Sequence, residues 1–194
     1  MKSVQGPKSK AQGRKQSRRD PRLSLEVRLK RVRLLLTDVD GVLTEGSVFI
    51  TGDGEFKQFS IQDGLGMMLW RKCGYKMGWI SARPSIVTTR RAEELKIDFL
   101  SQEKTSKVLA AEKILAETGF TWEQVCFVGD DVVDLCMLRR AGLAVSVANG
   151  IEEVKLQAHY VTQARGGQGA VREIITMILK AQGHWDRIVS EHLA

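Results

Sequence analysis

Three short runs of this 194-residue sequence carry polar side chains whose types and spacing could do chemistry. RLLLTDVDGVLTEG places Asp38 and Asp40 directly after an apolar run, and MGWISAR ends on Ser81 and Arg83. The third run, VCFVGDDVVD, ends on three acidic residues, Asp130, Asp131 and Asp134. Taken singly, each run is explained equally well by helix caps and turns. Their occurrence at the ends of three predicted strands favours one shared functional site.

The acidic residues of these runs indicate a bound cation. Carboxylates that converge on one point repel each other and raise their own pKa values unless a cation lies among them. No His or Cys stands nearby at metal-ligand spacing, which favours Mg²⁺ over Zn²⁺. A magnesium ion held by one or two carboxylates binds phosphoryl oxygens and neutralises their charge during transfer. The residues therefore predict magnesium-dependent phosphoryl chemistry.

Each candidate residue has a role in such a reaction. Asp38 is the candidate nucleophile that forms an aspartyl phosphate, and Asp40 is the candidate acid and base, with its backbone carbonyl free to meet the metal. The Ser81 hydroxyl and a lysine would hold the phosphoryl oxygens that gain charge in the transition state. Lys104 and Lys107 both lie near the start of the next predicted helix, and spacing alone does not choose between them.

The elements that must position these residues alternate between β-rich and helical patterns. Predicted strands cover 32–38, 75–81, 125–129, 143–147 and 160–162. Predicted helices cover about 65–73, 85–95, 105–118, 132–140, 151–157 and 168–181. This alternation is typical of an α/β fold, a Rossmann-like parallel sheet flanked by helices, whose ligands bind at the carboxyl ends of the strands.

One segment, 47–60, breaks the alternation and is predicted to form a β-hairpin. Its two β-rich halves are joined by TGDGE, whose Asp-Gly step favours a tight turn. No segment between the three runs is long enough for a cap domain. Because an isolated hairpin is barely stable in water, we expect its apolar residues to pack on other chains rather than on their own domain. These residues are Phe49, Ile50, Phe56 and Phe59.

The net charge of +7 is unevenly distributed along the chain. Residues 1–33 hold 12 of the 30 basic residues and 2 of the 23 acidic ones, which leaves 18 basic and 21 acidic residues for the rest. We therefore expect a disordered basic arm over 1–31 and a slightly acidic catalytic domain over 32–194. Nucleic-acid binding is disfavoured because it would rest on the charge of the arm alone.

Targeting signals and cysteines point to a cytoplasmic protein. The arm is not followed by the apolar stretch of a secretory signal, and no run approaches the length needed to cross a membrane. The three cysteines are odd in number and lack metal-site spacing, which fits a reducing compartment.

In order and context, the motifs resemble those of the haloacid dehalogenase-like superfamily of phosphohydrolases. DVDGV, Ser81, a lysine and GDDVVD match its four motifs. FSIQDGLGM, SQEKTSK, AHYVT and GGQGAVREI extend the similarity, over about 32–183, to the subfamily of 3-deoxy-D-manno-octulosonate 8-phosphate phosphatases. The resemblance implies hydrolysis of that sugar phosphate for lipopolysaccharide synthesis through an aspartyl phosphate.

The resemblance also implies roles for individual residues. Metal ligation falls to the carboxylates of Asp38 and Asp130 and to the carbonyl of Asp40. Phosphate binding falls to Lys107, with Lys104 as the alternative. The residues expected to orient the water ligands of the metal are Asp131 and Asp134, and those expected to bind substrate are Arg83, Asp63 and Gly64. Asn149 stands where an Asp is frequent in relatives, and this removes one carboxylate near the site.

Because the chain has no room for a cap domain, the resemblance implies a homotetramer in which hairpins of different chains associate. The C-terminal segment 184–194 of a neighbouring chain would then reach over the site and exclude water. A phosphatase for a nonulosonate 9-phosphate or another sugar phosphate is the alternative enzyme. A catalytically silent module that serves oligomerisation is the non-enzymatic alternative, and the intact set of Asp38, Asp40, Lys107 and Asp130 argues against it.

Overall fold

The computed structural model describes residues 23–52, 54–104 and 106–193. Its strands are β1 (Leu34–Thr37), β2 (Phe49–Thr51), β3 (Gly54–Phe56), β4 (Lys76–Ile80), β5 (Phe99–Ser101), β6 (Val125–Gly129), β7 (Leu143–Ser146) and β8 (Tyr160–Val161). Its α-helices are α1 (Leu25–Arg31), α2 (Ile61–Lys72), α3 (Ile86–Leu95), α4 (Lys107–Thr118), α5 (Leu135–Leu138), α6 (Glu152–Gln157), α7 (Ala170–Ala181) and α8 (Trp185–Glu191). Two 3-10 turns cover Trp122–Gln124 and Val132–Asp134.

Six parallel strands form one sheet in the order β5-β4-β1-β6-β7-β8. Strand β1 lies at its centre, and all four of its residues are buried, as expected for the continuous apolar run LLLT. In register, Thr37 of β1 lies beside Trp79 of β4 and Val128 of β6. The segments that follow these three strands therefore leave the sheet at the same edge.

Helices cover both faces of the sheet and form two separate cores. One core holds residues of α1, α2, α3, α7 and α8, including Trp70, Ile174 and Ile178. The other holds residues of α4, α5 and α6 packed against Phe127 and Ala144. The predicted α/β architecture is confirmed, with the five predicted strands present. The sixth strand, β5, is a three-residue edge strand too short to give a periodic signal.

The predicted hairpin is confirmed as a separate two-stranded sheet. Strands β2 and β3 pair antiparallel, with Phe49 opposite Phe56, whose rings stack with centroids 4.5 Å apart. Phe49, Ile50 and Phe56 are 44%, 82% and 52% exposed in the single chain, whereas Phe59 packs against the core of its own domain.

The structure corrects the predicted boundary of the basic arm. Residues 25–31, assigned to the disordered arm, form α1, which Ser24 caps and which buries Leu29 in the core. The Arg28 guanidinium donates a hydrogen bond of 2.7 Å to the carbonyl of Gly142. The charge count hid this helix because its apolar residues are interleaved with Arg and Lys. The remainder of the predicted arm, 1–22, lies outside the described residues.

The C-terminal segment forms a helix that packs on its own chain. Instead of extending as a tail, residues 185–191 form α8, whose Ile188 is buried in the core of the same chain. The Trp185 ring lies beneath the Arg172 guanidinium, 5.4 Å from its centroid, which further ties α8 to α7. Val189 and Leu193 of this segment are exposed, and its reach over the site of a neighbouring chain stays a prediction. Among the described helices, none has the length and apolarity to cross a membrane.

Candidate active site

Lys107 lies between two carboxylates at the carboxyl edge of the sheet. Its Nζ is 2.9 Å from Asp38 Oδ1 and 2.7 Å from Asp134 Oδ1, and all three residues are buried. Asp38 follows β1, and its backbone N–H donates to the carbonyl of Val128 in β6. Lys107 is the first residue of α4, whereas Lys104 is exposed. Tertiary structure thus chooses Lys107 as the lysine that meets Asp38.

Contact with two carboxylates affects the ionisation of the Lys107 ammonium group. Burial alone would lower the pKa of Lys107, but attraction to Asp134 and Asp38 outweighs burial and raises that pKa above its ordinary value. Lys107 is therefore a cation at neutral pH and offsets part of the negative charge in the cluster.

Asp130 brings a third carboxylate to this edge, directly after β6. One oxygen each of Asp38, Asp130 and Asp134 lie within 4.8 Å of one another. Burial, followed by repulsion among these acids, raises the pKa of Asp130 to about 7, and burial with repulsion from Asp134 raises the pKa of Asp38 to about 6. Asp130 Oδ1 is buried and has no hydrogen-bond partner.

These observations fit a divalent cation held by Asp38 and Asp130. An Mg²⁺ site offers hard carboxylate oxygens, and one of the oxygens here is buried without a partner. Without the ion, repulsion among the carboxylates of such a site raises their pKa values, as it does here. Gly41 allows the loop after β1 to lie close to the Asp130 side chain. Its φ is +90°, and a Cβ at this position would lie 2.0 Å from Asp130 Oδ2.

Asp131 and Asp134, predicted to orient the water ligands of the metal, accept hydrogen bonds from backbone N–H groups of the loop after β6. Asp134 Oδ2 accepts from the backbone N–H of Asp130 at 3.0 Å, while its other oxygen meets Lys107. Asp131 is exposed, and its Oδ1 accepts from the N–H of Val132 at 2.6 Å. Asp134 therefore orients both the Asp130 backbone and the Lys107 ammonium, and the role of either acid toward metal-bound water stays a prediction.

Asp40 pairs with a lysine that the sequence reasoning missed. Lys57 Nζ lies 2.8 Å from Asp40 Oδ1 and 3.1 Å from Oδ2, and it also donates to Thr88 Oγ1 at 3.2 Å. Lys57 directly follows β3 of the hairpin, and its side chain is completely buried. The one available signal was the alternation in Glu55, Phe56 and Lys57, which places the two charged residues on one face of the strand.

The predicted residues Ser81 and Arg83 lie in the loop after β4. The Ser81 hydroxyl accepts from the backbone N–H of Arg83 at 3.0 Å, which turns the chain at this edge of the sheet. The Arg83 guanidinium forms an ion pair with Glu55 of β3, and Ser85 donates to the same carboxylate. The hydrogen bonds from Arg83 and Ser85 lower the pKa of Glu55 to about 2. Arg83 is thus linked to the hairpin.

Asn149 connects the loop of Asp38 to the glycine-rich loop after β8. Its Oδ1 accepts from the N–H of Gly166 at 2.6 Å, which orients the amide so that Nδ2 donates to the carbonyl of Gly41 at 3.2 Å. A Cβ on Gly166 would lie 1.8 Å from that carbonyl, so the two loops are in close contact. The Asn149 amide therefore links the backbones of the two loops.

Asp63 and Gly64, predicted to bind substrate, lie in the first turn of α2 and are buried. Asp63 Oδ1 accepts from the N–H of Arg172 at 2.6 Å and so caps α7, whose N-cap residue, Gly169, has no side chain to do so. A Cβ on Gly64 would lie 2.7 Å from the Arg91 guanidinium. These contacts do not involve the Asp38 cluster, and substrate binding by Asp63 and Gly64 stays a prediction.

Comparison with known proteins agrees with this geometry. A family profile described as haloacid dehalogenase-like hydrolase matches residues 79–175. The 3-deoxy-D-manno-octulosonate 8-phosphate phosphatase of Yersinia pestis is 36% identical over 156 residues, which are 80% of this chain and 83% of that protein. The same-named phosphatase of Moraxella catarrhalis was crystallised with a magnesium ion, a phosphate ion and a KDO molecule. It is 35% identical with a TM-score of 0.84 and covers 86% of this chain and 97% of its own.

A cobalt-bound phosphatase of this type from Haemophilus influenzae is 34% identical with a TM-score of 0.78, covering 81% of this chain and 93% of its own. The chain therefore belongs to the haloacid dehalogenase-like hydrolases, a family whose phosphatases use a divalent metal. Within that family it is a relative of the 3-deoxy-D-manno-octulosonate 8-phosphate phosphatases. The predicted family and the predicted class of enzyme, a phosphoric monoester hydrolase, are confirmed.

Proposed function

We propose that this protein hydrolyses 3-deoxy-D-manno-octulosonate 8-phosphate to the free sugar and phosphate, as a cytoplasmic step of lipopolysaccharide synthesis that requires Mg²⁺. The observation that carries the proposal is the buried cluster in which Lys107 lies between Asp38 and Asp134, with Asp130 beside them. The relatives named for this substrate support its identity.

In the first step, an Asp38 carboxylate oxygen attacks phosphorus, and the bond from phosphorus to the sugar oxygen breaks. Asp40 gives its proton to that oxygen, so the free sugar leaves and Asp38 carries the phosphoryl group. In the second step, water attacks the same phosphorus while Asp40 takes up a proton. The bond between Asp38 and phosphorus breaks, and phosphate and the original carboxylate are regenerated.

Lys107 contributes a buried positive charge next to the attacking oxygen of Asp38. Because it is fixed by Asp134, the ammonium needs little reorganisation as charge builds on the phosphoryl oxygens. Asp38, Asp130 and the carbonyl of Asp40 would hold the metal. When bound, Mg²⁺ supplies charge neutralisation for the carboxylates and the phosphoryl group together.

Arg83 is the candidate for the carboxylate of the acid sugar. Its guanidinium side chain is 42% exposed and sits at the same edge of the sheet as Asp38, above the loop that Ser81 turns. A planar guanidinium matches a carboxylate in geometry, so Arg83 would distinguish acid sugars from neutral ones. Arg83 binds Glu55 in the single chain, and substrate binding requires it to exchange or share that partner.

We also propose that the protein assembles as a homotetramer through its hairpins. The stacked rings of Phe49 and Phe56, together with Ile50, form an apolar surface that the single chain leaves in water. Light scattering at micromolar concentration tests this directly. A particle of four chains is expected, and a solution containing only the 21.7 kDa monomer would contradict it.

The function is tested by measuring phosphate release from a panel of phosphorylated sugars. The panel contains 3-deoxy-D-manno-octulosonate 8-phosphate, a nonulosonate 9-phosphate and a neutral hexose phosphate, each with Mg²⁺, with Co²⁺ and after chelation. The eight-carbon substrate should give the highest kcat/KM with Mg²⁺, and chelation should remove the activity. Preference for the nine-carbon substrate would replace the proposed substrate, and a lack of turnover on every ester would favour the silent module.

A further inference from the structure

Lys57 is a completely buried ammonium group on the outer hairpin rather than on the sheet. Its Nζ contacts both oxygens of Asp40, at 2.8 and 3.1 Å, and the buried hydroxyl of Thr88 at 3.2 Å. Burying a charge costs several kcal/mol unless good geometry and further hydrogen bonds offset that loss. Two of the three contacts of Lys57 are with the Asp40 carboxylate, and the third is with the Thr88 hydroxyl.

The alternation of the strand explains how a hairpin residue reaches that point. Glu55 and Lys57 lie two residues apart and face the domain, whereas Phe56 between them faces solvent. Glu55 binds Arg83 and Ser85 in the loop after β4, and Lys57 binds Asp40 in the loop after β1. The inner face of the hairpin thus contacts the two loops that flank the catalytic edge.

Contact with both oxygens restricts the Asp40 side chain. Oδ2 accepts a hydrogen bond from the ammonium group and Oδ1 lies 2.8 Å from it as an ion pair, so the two contacts together limit rotation of the carboxyl group. Thr88, the third contact, fixes the ammonium itself because α3 buries it completely. Misplacement of a reacting group by about 1 Å costs on the order of a hundredfold in rate.

We propose that Lys57 is a positioning residue that holds the carboxyl group of Asp40, which enters the first step protonated, in the orientation required for proton transfer to the departing sugar oxygen. This inference rests on the proposed function, since it assigns Asp40 the proton of the leaving group. Through Lys57, the seating of the hairpin on its own domain becomes a condition for catalysis. In this mechanism Lys107 and Asp38 act directly on the phosphoryl group, whereas Lys57 contacts Asp40 and acts only through it.

The test uses two substrates that differ in their need for a proton donor. The leaving group of 4-nitrophenyl phosphate departs without a proton, whereas the sugar oxygen of 3-deoxy-D-manno-octulosonate 8-phosphate requires one. Lys57→Met should lower kcat/KM about 30-fold or more on the sugar phosphate and about threefold or less on the aryl phosphate, because general acid catalysis contributes about a hundredfold or more. Lys57→Arg, which keeps a cation, should recover part of the loss.

A double-mutant cycle with Asp40→Asn separates positioning from general structural damage. If Lys57 acts through Asp40, the double variant should be as active on the sugar phosphate as Asp40→Asn alone. Lys76→Met is the matched control, since Lys76 also pairs with one carboxylate, that of Asp98, at 2.7 Å but away from the site. Lys76→Met should leave kcat/KM unchanged on both substrates. The Mg²⁺-induced rise in melting temperature should be the same in Lys57→Met as in the natural chain, which verifies that the Asp38 cluster is folded.

Several outcomes would overturn the inference. Lys57→Met could lower kcat/KM equally on the two substrates, or the loss in the double variant could equal the product of the two single losses. Either result would show that Lys57 supports the fold rather than Asp40. A natural chain that is active on aryl phosphates but not on sugar phosphates would overturn the proposed substrate and this role of Lys57 together. A natural chain active on both, combined with a multiplicative cycle, would overturn the role of Lys57 alone.

Discussion

The carboxyl edge of the sheet and the hairpin place charged residues by different means. At the sheet edge, Asp38 and Asp130 directly follow buried strands, and Asp134 holds the loop that carries Asp130, so the backbone of the core sets their positions. The hairpin is attached through side chains, namely the ion pairs of Glu55 and Lys57, while its aromatic rings face solvent. In the proposed mechanism, phosphoryl transfer therefore depends on the sheet edge, and proton transfer and substrate recognition depend on the hairpin as well.

The largest effect is expected at the sheet edge, from Asp38→Asn. The amide cannot attack phosphorus, so turnover should fall at least about a thousandfold. The fold should persist because Lys107 keeps its pair with Asp134. Phosphate release and the melting temperature measure the two effects. Residual activity above about a tenth of the natural rate would place the nucleophile elsewhere.

The next effect is a loss of stability from Lys107→Met. This change leaves Asp38 and Asp134 as buried carboxylates without their shared cation, which should cost about 3–5 kcal/mol in the free energy of unfolding. Urea denaturation without divalent metal is the measurement. The control is Lys104→Met, which alters an exposed side chain and should change stability by less than about 0.5 kcal/mol. Similar losses in both variants would argue against the observed pairing.

Metal binding should weaken as pH falls. The raised pKa values, about 6 for Asp38 and about 7 for Asp130, mean that these carboxylates take up protons as pH drops from 8 to 6. Mg²⁺ must then displace the protons, so its apparent affinity should fall by up to about tenfold per pH unit for each proton displaced. A thermal-shift titration with MgCl₂ at the two pH values measures this. Identical midpoints would contradict the assigned ligands.

A smaller loss is expected where Asn149 joins two loops. Asn149→Ala removes its contacts with Gly41 and Gly166 and should lower the free energy of unfolding by about 1–3 kcal/mol. Asn149→Asp keeps the acceptor for the Gly166 N–H and should cost less. Chemical denaturation of both variants tests this order, and a larger loss in the Asp variant would reverse the assignment of the amide.

The smallest effect on the chemistry is expected from the outer face of the hairpin. Phe49→Ser combined with Phe56→Ser removes the stacked rings but leaves Glu55 and Lys57 in place. Turnover of 4-nitrophenyl phosphate should stay within about twofold, since the rings touch none of the catalytic residues, while light scattering should show smaller particles. Unchanged particle size would remove the hairpins from the proposed assembly, and lost aryl phosphatase activity would show that the two regions are not separable.

Local patterns in the sequence predicted most of the fold and several site residues. The apolar run before Asp38 and the Asp-Gly turn of the hairpin act over neighbouring residues, so they are readable without tertiary structure. Helix α1 and strand β5 escaped prediction for a local reason as well. One is masked by interleaved charge, and the other is too short for its pattern to repeat.

What the sequence alone determined is the inventory: the acids that follow strands, an α/β alternation and one hairpin. Tertiary structure decided which charges meet. Lys107 rather than Lys104 reaches Asp38, Asp63 caps α7, and Lys57 reaches Asp40 from 17 residues away. The physical reason is that ion pairs depend on strand order and burial. A lysine side chain is long enough to reach many different carboxylates, and only the packing of the sheet decides which carboxylate lies within hydrogen-bond distance of it.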